Sequence, residues 1–390
     1  MRSRRLIALL ATLTVLALGG YVAVPYARAV SLIIRAANMG GPTAQKLAAL
    51  QTHPVVIADP HIVPTRHGDV SAQFYTPDDF SRTVLLIPGI HSAGIEEPRL
   101  RGLAHELAAT GVNVMTMALP DLQQYRISPN ATDTIEDAVL WLARQSRWAR
   151  DGRVGVLGVS FAGGLAVAAS SRPSMRDTLA YVVSFGGHGD LPRVMRYLTT
   201  GEEAKVDGLV IHPPHDYGVA VVLYGLADRG AVPPEQVDAL RKGIQTFLLG
   251  SQQSMVDRAK ADRTYAEARE YEKTLPEPSR TYMKYVNDRS VTKLGAVLEP
   301  HLNQLGANDP ALSADRAEAV PLVPIYLMHG DDDNVIPAAE SAMLYRYLQS
   351  KGADVHLLLT GVVTHAEVNK AAAATEGLKL IAFWAAILKR

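Results

Sequence analysis

Short apolar runs and amphipathic stretches alternate along most of this chain. Val70 to Tyr75 alternates and predicts an early strand. Thr83 to Ile87 is an unbroken apolar run ending at Pro88-Gly89, which predicts a buried strand. Arg99 to Thr110 places Leu100, Leu103, Ala104 and Leu107 on one helical face. Val112 to Met117 predicts the next strand, and Thr134 to Arg144 the next helix, with Ile135, Ala138, Val139 and Leu142 inward and Asp133 as N-cap. Val154 to Val159 and Tyr181 to Phe185 predict two further strands. From about Asp190 to Val320 the rhythm stops. Arg241 to Glu272 is helical in character, and Pro213-Pro214, Pro233-Pro234 and Pro276-Glu277-Pro278 mark breaks. Beyond Pro324 it resumes as strand Ile325 to Met328, helix Ala338 to Ser350, strand Val355 to Thr360 and helix Val368 to Leu388. Strands alternating with helices predict an α/β fold, a mostly parallel sheet covered on both faces. The expected plan is a core over 51–190 and 321–390 with a helical cap inserted at 191–320.

The first 50 residues read differently. Arg2, Arg4 and Arg5 precede an uncharged run from Leu6 to Tyr26, and no acidic residue occurs before Asp59. The run is long enough to cross a bilayer, which predicts a signal anchor with the catalytic domain on the extracytoplasmic side. Ala27-Arg28-Ala29 also fits a small-x-small cleavage site, so export after signal cleavage is the competing reading. Ser31 to Leu50 is a short helical segment interrupted by Gly40-Gly41-Pro42.

Composition narrows the function classes. Hydrophobic residues make up 48% of 390 and charged residues 20%, enough apolar material for a sizeable core. Lys+Arg and Asp+Glu are both 39, which argues against a nucleic-acid partner. The absence of cysteine excludes disulfides, zinc-thiolate sites and cysteine nucleophiles.

Candidate chemistry lies at the carboxyl ends of the predicted strands, where open α/β sheets place ligands and catalytic groups. Gly158-Val159-Ser160-Phe161-Ala162 passes from a strand through a sharp turn into a helix of small residues. A nucleophilic serine at such a turn takes a strained backbone conformation, so its neighbours two before and two after must be small. Taken alone, the pattern reads equally as an N-capped helix start. Three more features fall at strand ends: Pro88-Gly89-Ile90-His91-Ser92-Ala93-Gly94, the acidic stretch Gly330 to Pro337, and Thr364-His365. Serine, acid and histidine thus follow in chain order. His365 is placed to take the Ser160 proton, and an aspartate to hold the imidazole tautomer. His329 and His356 lie in or at the ends of strands and suit structural roles better.

These motifs together resemble the α/β-hydrolase superfamily over Val70 to Gly187 and Pro321 to Arg390. The match of Gly330, Asp333, Val335 and Pro337 to the family's acid loop implies that Asp333, rather than Asp331 or Asp332, is the triad acid. The match of Pro88-Gly89-Ile90 to the oxyanion loop implies Ile90 and Phe161 as N–H donors. Pro-Gly stands where the family has His-Gly, which leaves the first donor open between Ile90 and His91. The resemblance implies a serine hydrolase acting on a small-molecule ester without a cofactor. Peptidase or amidase, acyltransferase and a membrane-anchored non-catalytic binding protein are the alternatives. His212-Pro213-Pro214-His215-Asp216-Tyr217 matches no metal template and reads as a cap turn near the pocket, so no metal is expected. His91, His188 and Tyr217 are the pocket candidates. Nothing in the sequence sets the oligomeric state.

Overall fold

A computed structural model of the protein describes residues 23–363, 369 and 372–390. It begins with helix α1 over 23–36 and α2 (Gly41–Ala49). The first half of the core follows as β1 (Val55–Ile57), β2 (His61–Val63), β3 (Val70–Pro77), β4 (Arg82–Ile87), α3 (Pro98–Ala108), β5 (Val112–Met117), α4 (Pro120–Gln123), α5 (Pro129–Ala143), β6 (Val154–Val159), α6 (Phe161–Ser170) and β7 (Leu179–Phe185). The central section holds α7 (Leu191–Thr200), a hairpin of β8 (Glu202–Lys205) and β9 (Gly208–Ile211), α8 (Asp216–Leu226), α9 (Val237–Ser254), α10 (Arg258–Glu272), α11 (Ser279–Asn287) and α12 (Val291–Leu298). The chain closes with β10 (Ile325–Gly330), α13 (Ala338–Ser350), β11 (Val355–Thr360) and α14 (Ala373–Leu388).

Among the described residues nine strands form one sheet in the order β1-β3-β5-β4-β6-β7-β10-β11, with β2 also paired to β3. The pairs from β5 to β11 are parallel; β1, β2 and β5 each run antiparallel to β3. Strand alternation divides the apolar residues between two faces. Leu85, Ile87, Val156 and Val182 pack with α5, α6 and the cap helices. Leu86, Leu157, Val183 and Met328 pack under α1, α3 and α14. Both faces are therefore buried, which is why these strands read as continuous apolar runs.

Several elements depart from the sequence reading. The helix expected from Thr134 starts at Pro129, because proline at the first turn follows Ser128 at the N-cap position. Asp133 instead faces Arg172 and His67. The helical stretch at Arg241 to Glu272 divides at Met255–Asp257, where Asp257 accepts from the Lys260 N–H and caps α10. The short strands β1 and β2 and the β8–β9 hairpin give no periodic signal; Leu209, Val210 and Ile211 of β9 are exposed.

Residues 23–49, read from the sequence as the end of an anchor and a linker, pack on the core. Ala29 and Leu32 are buried, Ser31 Oγ donates to the Ala48 carbonyl at 2.8 Å, and Arg35 pairs with Glu106. Most of the Leu6 to Tyr26 run lies outside the described residues. Among the described residues, no helix is long and apolar enough to cross a membrane.

Candidate active site

Ser160 joins β6 to α6 at φ 56° and ψ −134°, a region that non-glycine residues avoid. Its surroundings hold it there. The Ser160 N–H donates to the Phe185 carbonyl at 2.7 Å, and the Ser160 carbonyl accepts from Gly163 at 2.7 Å. A Cβ at Gly158 would overlap the Ala162 carbonyl, so glycine is obligatory there, whereas Ala162 is accommodated and fully buried. A Cβ at Gly163 would stand 2.6 Å from Ser184 Oγ, which explains the small residues that open α6. Phe161 is the first residue of α6, so its N–H has no acceptor within the helix and lies at the positive end of the helix dipole.

The loop after β4 approaches the same point. A Cβ at Gly89 would lie 2.9 Å from Ser160 Cβ and 3.5 Å from Ser160 Oγ, which only glycine at this position avoids. The loop then turns: Gly94 N–H donates to the His91 carbonyl at 2.9 Å, and Ala93 N–H to His91 Nδ1 at 3.1 Å. Ile90 is buried and His91 partly so, and burial pushes the His91 imidazole below the ordinary histidine range.

Of the three successive aspartates after β10, Asp331 and Asp332 are exposed and Asp333 is 3% exposed. Its Oδ1 accepts from the N–H groups of Val335 at 2.8 Å and Ile336 at 3.0 Å, bonds that favour an ionised carboxylate. Asp333 and Ser160 border the same corner. Phe185 accepts from Ser160, and a Cβ at the next residue, Gly186, would stand 3.6 Å from Asp333 Oδ2. Since β7 separates β6 from β10, the two strand ends are roughly 10 Å apart.

His365 lies outside the described residues. Its flanks are described: β11 ends at Thr360, whose carbonyl accepts from Asp331 N–H at 3.0 Å, and Asn369 N–H donates to Val362 at 2.7 Å. The end of β11 therefore lies beside the acid loop. Another histidine borders the acid: His329 Nε2 stands 3.5 Å from Asp333 Oδ2. His329 is fully buried, with Nε2 donating to the Ile336 carbonyl at 2.8 Å and Nδ1 bonded to Ser341 Oγ at 2.7 Å. His356 is exposed and stacks on Tyr326.

The strand order, the strained serine between β6 and α6, and the buried acid after β10 decide the architecture. The fold is that of the α/β-hydrolases. No family model matches the chain, and no curated protein matches it significantly. The chain is similar to several solved structures. An esterase of Pyrobaculum calidifontis aligns over 93% of this chain and 90% of its own at 16% identity, TM-score 0.48. Brefeldin A esterase, described as a bacterial homologue of human hormone-sensitive lipase, aligns over 94% and 86% at 13% identity, TM-score 0.48. An esterase of Pyrococcus furiosus aligns over 90% and 95% at 13% identity, TM-score 0.46.

The cap of this α/β-hydrolase fold straddles the strand ends. His215 N–H donates to the Asn334 carbonyl at 2.8 Å, as does Tyr197 Oη at 3.2 Å. Two residues on, Tyr217 Oη donates to the Ile90 carbonyl at 3.0 Å. The polar groups of the His212 to Tyr217 turn are engaged locally: His212 with Glu203, and Asp216 with His215 and Arg289. Among the described residues, no group of three or more His, Asp or Glu could hold a metal ion. A cavity of about 150 Å³ separates α7 and α8 from the segment 121–130; Tyr125 lines it and Ser160 does not.

His188, expected in the pocket, is instead fully buried against α6. Its Nε2 donates to the Leu312 carbonyl at 2.8 Å, and its Nδ1 has no partner among the described residues. It fits there because position 164 is glycine, where a Cβ would come 2.5 Å from Nδ1. Burial lowers this imidazole to about 4. The unfolded chain takes up this proton below about pH 6.5 and the folded chain only near pH 4, so folding stability falls as pH drops through that window, by about 3 kcal/mol at the acid end. His188→Gln, whose amide N–H can still reach Leu312, should flatten this part of the profile in urea titrations at pH 7, 6 and 5. An unchanged slope would remove His188 as its source.

Proposed function

We propose that this protein is a serine hydrolase that cleaves carboxylic esters through an acyl-enzyme on Ser160. The observation that carries the reading is the Ser160 backbone at φ 56° and ψ −134°, strain that persists only where the surroundings over-determine it and that clusters at functional sites. His365 takes the Ser160 proton as Oγ attacks the substrate carbonyl, and Asp333 holds the imidazole and stabilises its charged form. The negative charge that develops on the carbonyl oxygen falls between the Phe161 N–H and an N–H of the Ile90–His91 loop. Collapse of the adduct expels the alcohol, which receives the proton from His365. Water activated by the same histidine then releases the acid and restores the serine.

Turnover of p-nitrophenyl esters of graded chain length, set beside p-nitroanilides, tests the reaction class. The full-length protein should hydrolyse the esters. Ser160→Ala and His365→Ala should each lose on the order of 10⁴-fold or more in kcat. Ester turnover undiminished in Ser160→Ala would overturn the proposal.

A further inference from the structure

Two cap helices meet over the loop that follows β4. Tyr217, in the first turn of α8, donates from Oη to the Ile90 carbonyl at 3.0 Å. Gln252, in the last turn of α9, donates from Nε2 to Tyr125 Oη at 3.2 Å and to Tyr217 Oη at 3.4 Å. Its Oε1 accepts from Ser92 Oγ at 2.9 Å. The loop is thus held at positions 90 and 92 by side chains 127 and 160 residues distant in sequence.

We propose that Tyr217 and Gln252 are positioning residues for the oxyanion loop, so that the seated cap completes the site around Ser160. The inference rests on the function proposed above and deepens it. A peptide unit is planar, with its carbonyl and N–H pointing in opposite directions. Pinning the Ile90 carbonyl toward the cap therefore fixes where the His91 N–H points and limits rotation at Ile90. Gly89, forced to be glycine by its contact with Ser160, leaves the chain before this peptide with little stiffness of its own. Without the hydroxyl, the carbonyl of a buried residue loses its donor and the peptide is free to turn. Tyr217 is itself held by the turn before it, where the His215 N–H donates to the Asn334 carbonyl of the acid loop at 2.8 Å. One short stretch of the cap thereby ties the oxyanion loop to the acid loop.

The test uses the full-length protein and Tyr217→Phe, Gln252→Ala and the double variant. It measures kcat and KM on p-nitrophenyl butyrate, the Kd of a trifluoromethyl ketone that forms a tetrahedral adduct, and thermal melting. Removing an oxyanion donor outright costs about 100- to 1,000-fold, so loss of its support in Tyr217→Phe should lower kcat roughly 10- to 100-fold. KM should stay within about twofold, because the hydroxyl acts on the transition state rather than on bound ester. Ketone affinity should fall by the same factor as kcat, with the melting temperature lowered by no more than a few degrees. Gln252→Ala should act in the same direction and more weakly, and the double variant should be no worse than Tyr217→Phe, as members of one network are not additive. Should Tyr217→Phe fail to fold, Gln252→Ala and Ser92→Ala, which cuts the same bond from the exposed side of the loop, carry the test. Wild-type kcat in the folded variants, or a rise in KM alone, would overturn the positioning role while leaving the hydrolase reading intact. A wild-type protein that neither hydrolyses the ester nor reacts with a fluorophosphonate would overturn both.

Discussion

Asp333→Asn should lower kcat for esters by about 10⁴-fold and leave the fold intact. The substitution is isosteric. The amide oxygen can still accept from Val335 and Ile336, the two bonds that shape the acid loop. What disappears is the second acceptor oxygen and the negative charge that would hold His365 in the reactive tautomer and stabilise it when protonated. Asp331→Asn and Asp332→Asn serve as controls, since both residues are exposed. Each should retain turnover within about twofold, as expected for substitutions at the surface. Equal losses at Asp331 and Asp333 would show that the acid has been misassigned. Circular dichroism and thermal melting of all three variants separate loss of chemistry from loss of structure.

The largest expected loss of stability lies at the root of the cap. Glu340 on α13 is buried, and its carboxylate accepts from Gly189 N–H at 3.0 Å, Asp190 N–H at 2.9 Å and Arg193 Nε at 2.9 Å. Arg193 also reaches Asp315 at 2.8 Å, and Asp190 pairs with Arg316. Both chain crossings between core and cap, near 190 and near 315, are therefore fastened to α13 through one charged cluster. Glu340→Ala removes the carboxylate but leaves two buried backbone N–H groups and a guanidinium short of acceptors. Breaking a buried ion pair on one side costs about 3–5 kcal/mol, which for a chain of this size corresponds to a fall in melting temperature of roughly 4–6 °C. Glu340→Gln should lose less, because one amide oxygen still accepts. Melting of the three proteins checks the order wild type, Gln, Ala. If Glu340→Ala melts with the wild type, the cluster does not hold the cap.

The elements that define the sheet were legible because burial on both faces leaves an unmistakable mark. Val112 to Met117 and Val154 to Val159 coincide with strands. The serine turn was legible for a steric reason: small residues at 158, 162 and 163 are what the close packing of β6, α6 and β7 demands. The choice among three adjacent aspartates came only from the resemblance, since burial of Asp333 depends on two backbone N–H groups further along the loop. The burial of His188 under α6 was not legible, because a histidine after a strand end gives no sign of whether it faces solvent or the underside of a helix. Gln252 carried no signal at all. It is one polar residue on an amphipathic cap helix, and its partners Ser92 and Tyr125 lie more than a hundred residues away. The packed helices over residues 23–49 were hidden by the hydrophobic run before them, which drew the whole stretch into an anchor-and-linker reading.

The most direct measurement is to treat the full-length protein with a fluorophosphonate probe and to map the adduct by intact and peptide mass, beside Ser160→Ala and His365→Ala. An activated Ser160 predicts one adduct per chain, on Ser160, formed rapidly in the wild type, absent in Ser160→Ala and strongly slowed in His365→Ala. A folded wild type left unlabelled, or labelled at another residue with Ser160→Ala reacting equally well, would contradict a nucleophilic Ser160.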